Sequence, residues 1–427
     1  MKIFFVNDSI SNPNWGDRAA ATSLKYMMKK LGAEITSVVY EEDLGQSHFK
    51  NKPVNVHSND KSSVSLKAIA KQIVPPILLN IKQKIFQEYG RNTHIDIIPQ
   101  RWEEAEDRLS YIVANRDIYS DLLDAINNAD VMVIHGDGCM TGNGRIPRAE
   151  LFLAFIAKRY LGKPVIIVNH TADFDHQGLL RFAQNVYPMF NDVVFRDMTS
   201  VDRCKALCTG RYAPDSAYYF KPIQKNDWLK VARRTTYFDV WPDIACFDPA
   251  DSYVCLGGSS IFYYVKDQVD PIAEYIDLIG YLQTIYSGQI VLTASDIRDE
   301  AIFRKIAVDL NLPLIGLSTP VQQSVDILGN ADAYIGGRWH PSIFALRGGT
   351  PVIPITSLTF KMQALIKMSG LNCEPIDALR LSQAKNYIAK QLFSYLNQGN
   401  ELRSRLSAWA QGESEKAWSN LDYLKVV

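Results

Sequence analysis

Met1-Lys2-Ile3-Phe4-Phe5-Val6-Asn7-Asp8 begins the chain, residues 18–31 follow with a helical pattern closed by Gly32, and Ile35-Thr36-Ser37-Val38-Val39-Tyr40 comes next. Ile3 to Val6 is a short apolar run that stops at a polar loop, residues 7–17, as a buried strand would. Gly32 supplies the helix stop, and the β-branched run 35–40 is a second strand. Two strands joined through a helix lie parallel, and a parallel sheet needs helices on its faces.

Further along, the rhythm breaks and returns. Residues 41–125 are polar and Lys-rich, too long for an ordinary loop, and are expected to form an insertion or lid. Helices are expected there at 63–73, from the Pro75-Pro76 break to Tyr89, and over most of 101–126. Strands then recur at 131–134, 165–169 and 193–196, with helices at about 148–161 and 199–207. Residues 221–250 have no clear period and serve as a connection. A second series follows, with strands at 253–256, 289–293, 314–317, 333–336 and 352–355, helices between them, and a helical tail from Ala384. The expected architecture is α/β, two Rossmann-like domains facing a cleft, GT-B-like, with a C-terminal crossing helix. The domains are expected at 1–225 (acceptor side) and 226–400 (donor side), with the helix at 401–427.

Composition narrows the function. The chain has 427 residues, 47% hydrophobic and 22% charged, which suits a soluble two-domain enzyme. Lys+Arg and Asp+Glu are both 46, so a nucleic-acid binder working by phosphate neutralisation is disfavoured. Six cysteines form no Cys-x-x-Cys pair, and Cys204/Cys208 have no histidine at finger spacing, so neither a disulfide scaffold nor a zinc site is expected. The N-terminal apolar run is too short for a signal segment, no run of 18 apolar residues occurs, and a cytoplasmic location is expected. Residues 61–92 carry Lys61, Lys67, Lys71, Lys82, Lys84 and Arg91 among isoleucines and leucines, a basic amphipathic pattern that suits peripheral contact with the inner face of a membrane.

In open parallel sheets ligands lie beyond the carboxyl ends of the strands, so the loops there carry the candidates. The richest is Gly336-Gly337-Arg338-Trp339-His340-Pro341, with Lys361 downstream. The glycines let the backbone approach a ligand, the helix start favours an anion, Arg338 offers a fork, and His340 can move a proton near neutral pH. His135 and Asp137 flank Gly136 at the end of another strand. Gly257-Gly258-Ser259-Ser260 offers backbone N–H groups to an anion without the spacing of a dinucleotide fingerprint. Asp17 and Asp215 each suit a cap or a ligand role. His170, Asp173, Asp175 and His176 lack the spacing of a metal site, and no metal is expected.

Arg338, His340, Ala345, Gly349, Pro351 and Lys361 together resemble the closing motif of the polysaccharide pyruvyl transferase family. Asn14-Trp15-Gly16-Asp17 resembles its opening motif, Asp130 with the following strand its middle motif, and Arg196, Ser200 and Ala213-Pro214-Asp215-Ser216-Ala217 its Arg-x-x-x-Ser…Pro-Asp-x-Ala segment. The resemblance covers about 1–40 and 130–370; the loop His135-Gly136-Asp137-Gly138 departs from the family's nearly all-glycine pattern. It implies transfer of pyruvate from phosphoenolpyruvate, as co-substrate and without a further cofactor, onto sugar hydroxyls of a surface polysaccharide or its lipid-linked precursor. Arg338, Lys361 and, more weakly, Arg196 would then hold the donor, with Gly336, Gly337, Ser259 and Ser260 around it. His340 would be the acid, and Asp17, His135 or Asp137 the acceptor-side base. The alternative is a GT-B glycosyltransferase that holds a nucleotide sugar on the same cations.

Overall fold

The computed structural model describes residues 1–46, 54–55, 96–232, 247–264 and 269–426. The helices expected at 63–73 and up to Tyr89, and the basic stretch 61–92, lie outside these residues, as does much of the 221–250 connection.

The chain builds two sheets. The first contains β1 (Lys2–Asp8), β2 (Glu34–Tyr40), β3 (Val54–Asn55), β4 (Val131–Thr141), β5 (Val165–Asp173), β6 (Asp192–Phe195) and β7 (Arg211–Tyr212), in the order β3-β2-β1-β4-β5-β6-β7. All pairs are parallel except β2 with β3. The second contains β8 (Tyr253–Ser259), β9 (Gln289–Thr293), β10 (Leu314–Ile315), β11 (Ala333–Gly337) and β12 (Val352–Pro354), all parallel, in the order β10-β9-β8-β11-β12. The strand order reverses between β1 and β4 in one sheet and between β8 and β11 in the other. Crevices open at such switch points, and the candidate loops follow these four strands.

Several elements run longer than their periodicity suggests. β4 reaches Thr141, because after a register shift between Asp137 and Met140 its pairing with β5 resumes. Asp137 takes a left-handed φ of 41° at that shift, and Asn7, near the end of β1, and Asn169, in the middle of β5, sit at 67° and 56°. Asparagine and aspartate are the non-glycine residues that enter this region most readily, so the three positions turn the backbone with little strain.

The described part of the expected insertion is core. Helices Ala105–Ala114 and Arg116–Asn128 bury Leu109, Ile112, Tyr119, Leu122, Leu123 and Ile126 against the first sheet, so they are the crossover into β4 and not a lid.

Helices at both ends of the chain pack across the halves. Helix Trp15–Lys30 sends Trp15, Ala19 and Ala20 into the second core while Leu24, Met27 and Met28 stay in the first. Helix Leu381–Lys416 packs on the second sheet, with a non-helical break at Gly399, and begins within one turn of the expected Ala384. The tail Ala417–Lys425 continues as a 3-10 segment and returns Ala417, Leu421 and Leu424 to the first half. Among the described residues no helix is long and apolar enough to cross a membrane.

Candidate active site

Asn14 caps helix Trp15–Lys30, its side chain accepting the Gly16 N–H at 2.9 Å. This fixes Gly16 and Asp17 in the first turn at the cleft. From the other half, the first turn of helix Trp339–Arg347 carries His340. The imidazole rests on Gly16 so closely that a Cβ there would fall inside the ring.

Three carboxylates surround His340. Nδ1 is 3.8 Å from Asp17 Oδ1; Nε2 is 3.3 Å from Asp215 Oδ2 and 3.6 Å from Asp137 Oδ1. Arg196 lies alongside, 1% exposed, donating to Asp137 and, at 3.0 Å, to Asp215, while its Nε donates to Thr171 Oγ1 at 3.0 Å. Its guanidinium lies over the Trp339 ring at 5.1 Å, and the Trp339 indole N–H donates to Asp215 at 2.9 Å.

These contacts sort the acids. Burial raises all three, but Arg196, His340 and His135 outweigh it for Asp137 and hold it at about 2. His340 and Arg196 likewise hold Asp215 far below the carboxylate range. Asp17 goes the other way: burial, then Asp137 and Glu41, push it well up. Of the three acids around His340, Asp17 is therefore the one that keeps a proton most readily.

The second half supplies further charge. Arg338 donates through Nε and Nη2 to Asp299 at 2.9 and 2.8 Å and lies 3.2 Å from Asp296. Asp299, on helix Ile297–Leu310, is fully buried; burial raises it to about 6 against the pull of Arg338. Lys361 opens helix Lys361–Ser369 and makes no ion pair among the described residues; burial, Arg338 and Arg196 lower it to about 8. It lines a cavity of about 490 Å³ with Glu41, Thr141, Ser260, Tyr263 and Tyr264.

Asp17, Asp137, Arg196, Arg338, His340 and Lys361 thus converge from both halves. Other expectations change. His135 is fully buried, with Nε2 3.1 Å from the Asn169 amide and its ring stacked on Phe5, so it does not face the cleft. Gly336 and Gly337 make room for protein: a Cβ would strike the Tyr334 hydroxyl at the first and the Thr356 carbonyl at the second. Ser259 caps the turn Ser260–Tyr263 and donates to the Thr356 carbonyl at 2.6 Å. Ser260 accepts the Leu358 N–H at 3.1 Å and does reach the cavity. One edge of the Arg338 fork, Nε and Nη2, is committed to Asp299, which leaves Nη1 outside that pair. His170 uses both ring nitrogens within the core, on the Val194 carbonyl and the Tyr187 hydroxyl.

Asp17, Asp137 and Asp215 stood out in the sequence, whereas Asp296, Asp299 and Glu41 did not. Asp215 does double duty, since its Oδ1 caps the turn at Ala217 and its Oδ2 serves Arg196 and Trp339. Asp299 and Glu41 come from segments with no motif; the only trace of Asp299 in the sequence is an acidic first turn of a helix.

Among the described residues, Asp17, Asp137 and His340 form the one group whose ligand atoms lie close enough, within 4.8 Å of one another, to hold a metal ion. Arg196, bonded to the same Asp137 oxygen, stands where it would repel one.

Similar solved structures share the fold. A UDP-GlcNAc 2-epimerase from Neisseria meningitidis bound to UDP-GlcNAc is 10% identical, with a TM-score of 0.53 over 100% of both chains. S. aureus MnaA with UDP is 12% identical, with a TM-score of 0.53 over 100% of this chain and 97% of that one. The spinosyn rhamnosyltransferase SpnG complexed with thymidine diphosphate is 10% identical, with a TM-score of 0.51 over 98% and 96%. At such identities the likeness establishes a GT-B fold and nothing more. A comparison with curated proteins by sequence finds none that matches. The family profile for polysaccharide pyruvyl transferase matches residues 14–358, from the Asn14 cap through β4, Arg196 and the Arg338–His340 turn, and the chain belongs to that family.

Proposed function

We propose that this enzyme transfers pyruvate from phosphoenolpyruvate to two hydroxyls of a glycan, closing a cyclic ketal. The observation that carries the reading is the meeting of Asp17 and His340, from opposite halves, beside the cations Arg196, Arg338 and Lys361. Phosphoenolpyruvate brings a carboxylate and a phosphate, and fixed cations suit both. Two hydroxyl oxygens bond to its C2, and the C2–O bond to phosphate breaks. Of the two hydroxyl protons, one ends on C3, which becomes a methyl, and the other leaves on phosphate. An acid and a base are needed, each contributing roughly 10²–10⁴-fold. His340 protonates the departing phosphate oxygen. Asp17, neutral more readily than its neighbours, exchanges protons with the acceptor side. Asp137 and Asp215 stay ionised and orient His340 and Arg196. The acceptor is a surface polysaccharide or its lipid-linked precursor, handled at the cytoplasmic side of a membrane.

Thermal denaturation with ligand tests the donor. Binding adds RT ln(1 + [L]/Kd), about 2.7 kcal/mol at a hundredfold excess. For domains of about 200 residues that is a rise of several degrees, at roughly 2–4 °C per kcal/mol. Phosphoenolpyruvate should give this rise, in chelator as well, and UDP, GDP and CMP should not. A rise with a nucleotide and none with phosphoenolpyruvate would replace this reading with nucleotide-sugar glycosyl transfer.

A further inference from the structure

Helix Met198–Arg203 follows Arg196 in the first half. A helix of six residues has little stability of its own, and three consecutive residues at the end of β5 fasten this one. Thr171 Oγ1 donates to Asp197 Oδ2 at 3.0 Å, and the Ala172 N–H donates to Ser200 Oγ at 3.0 Å. Asp173 Oδ1 accepts from Arg203 Nη1 at 2.9 Å, and Asp175 lies 3.8 Å from the same nitrogen. Thr171 also receives the Arg196 Nε–H at 3.0 Å. One strand end therefore orders Arg196 in the cluster and Arg203 seven residues on.

Arg203 reaches across to the other half. Its guanidinium lies 4.3 Å from the centre of the Phe360 ring. Asp202, beside it, is near enough to Lys367 for the two charges to act on one another. Phe360 and Lys367 belong to the segment that presents Lys361. Phe360 precedes helix Lys361–Ser369, and its carbonyl accepts the Ala364 N–H at 3.0 Å, closing the first turn. Upstream, the segment is tied to its own half: the Leu358 N–H donates to Ser260 Oγ at 3.1 Å, and Thr356 Oγ1 accepts the Ala378 N–H at 3.0 Å. Lys361 lines the cavity with no ion pair among the described residues. A lysine is a point charge on a flexible stem, so its place depends on the backbone it starts from.

We propose that Arg203 and Phe360 form a clasp across the cleft that sets where Lys361 stands, which makes both of them positioning residues for the donor. The proposal rests on the pyruvyl-transfer reading for what Lys361 holds. A cation over a ring face is an attraction that an aliphatic side chain in place of Phe360 would not make. The coupling runs both ways: a clasp that favours the donor-bound place of Lys361 is itself favoured when the donor is bound. Arginine stays charged throughout the working pH range, so the clasp does not titrate with Lys361.

Calorimetric titration of the full chain with phosphoenolpyruvate reads donor affinity, and melting without ligand shows that each variant folds. Phe360→Leu keeps apolar bulk and removes the ring. It should weaken donor binding by about fourfold, the size of a half-exposed cation–aromatic contact. Phe360→Tyr keeps the ring and should bind as the unmodified chain does. Arg203→Gln should also weaken binding, in part because Asp173 and Asp175 lose their counter-charge. Phe360→Leu added to Arg203→Gln should then have no further effect, because the cation is already gone, whereas independent effects would multiply by about four again. Arg181→Ala, which removes an exposed arginine paired with Glu103, should leave the affinity unchanged. Full affinity in Phe360→Leu, or an equal loss from it with and without Arg203, would overturn the clasp while donor binding by the unmodified chain persists. Failure of phosphoenolpyruvate to bind the unmodified chain would instead remove the pyruvyl-transfer reading beneath it.

Discussion

Gly16 has no side chain, and His340 uses the room. Any Cβ at position 16 would occupy the imidazole's place, so Gly16→Ala must move either the ring or the helix start that Asn14 caps. We predict a loss of turnover of at least about 10²-fold, the size expected for misplacing an acid or base, with little change in melting point. Near-normal kinetics in Gly16→Ala would show that the contact does not position His340. His340→Ala should likewise abolish turnover in a folded protein. Lys361 allows a test by pH. Its ammonium is held at about 8 by burial and by Arg338 and Arg196, so the charged form is lost as pH rises through that value. Donor affinity should fall up to about tenfold per pH unit above 8, and Lys361→Arg should move this limb upward, since arginine stays charged. An affinity flat from pH 7 to 9.5 in the unmodified chain would exclude Lys361 as a donor contact.

Elements bring together what their sequences do not announce. The turn after β11 delivers Arg338, and the first turn of helix Ile297–Leu310 delivers Asp299, fully buried, to meet it. Removing the arginine leaves that carboxylate without its main partner, and breaking a buried pair costs roughly 3–5 kcal/mol. The sign with pH follows from Asp299. Its folded value, about 6 beside Arg338, is already above the unfolded one, and burial alone would push it higher. The folded Arg338→Ala protein should therefore bind a proton that the unfolded chain gives up. Its stability deficit should be small near pH 5 and grow by up to about 1.4 kcal/mol per unit as pH rises. Adding Asp299→Asn should flatten that dependence. Urea denaturation at pH 5, 6, 7 and 8 checks both, and a deficit independent of pH would contradict the pairing. The same pairing explains what was legible in the sequence. Strand and helix order follow from apolar period and glycine stops, which act over a few residues, so β1, β2 and β9 fall where the pattern places them. Arg338, His340 and Asp17 stood out because they sit at loop–helix junctions. Asp299 and Glu41 did not, because their significance lies in packing against segments far away in the chain. The glycine turns misled for a similar reason: Gly257 and Gly336 clear space for the Tyr334 hydroxyl, and Gly258 for Asp299, which no local pattern reveals.

At the scale of the whole molecule, the cleft depends on a tail that does not touch it. After helix Leu381–Lys416, Ala417, Leu421 and Leu424 close over Ile3, Phe5, Leu24, Met27 and Val131 of the first half. Between them Asn420 accepts the Asn169 N–H at 3.0 Å and donates to the Pro214 carbonyl at 2.8 Å. Asn169, held at its left-handed φ, in turn accepts the Ser216 N–H at 2.6 Å and reaches the His135 ring. Pro214 and Ser216 bracket Asp215, so the tail sets the backbone that presents Asp215 to Arg196 and His340. A stop after Lys416 removes two buried leucines, at roughly 1.5–3 kcal/mol each, which lowers the melting point by on the order of 10 °C. Such a large change does not separate support of the fold from support of the site. Asn420→Ala does, because it keeps both leucines and deletes only the side-chain bonds to Asn169, Pro214 and the Ala417 carbonyl. It should cost about 1–3 kcal/mol, as buried polar groups left without partners do. If the tail acts through Asp215, turnover under conditions where the variant is fully folded should fall more than donor affinity, because Lys361 and Arg338 lie on the other half and keep their places. Asn420→Ala with unchanged turnover would reduce the tail to a cover for the first core, with no part in arranging the site.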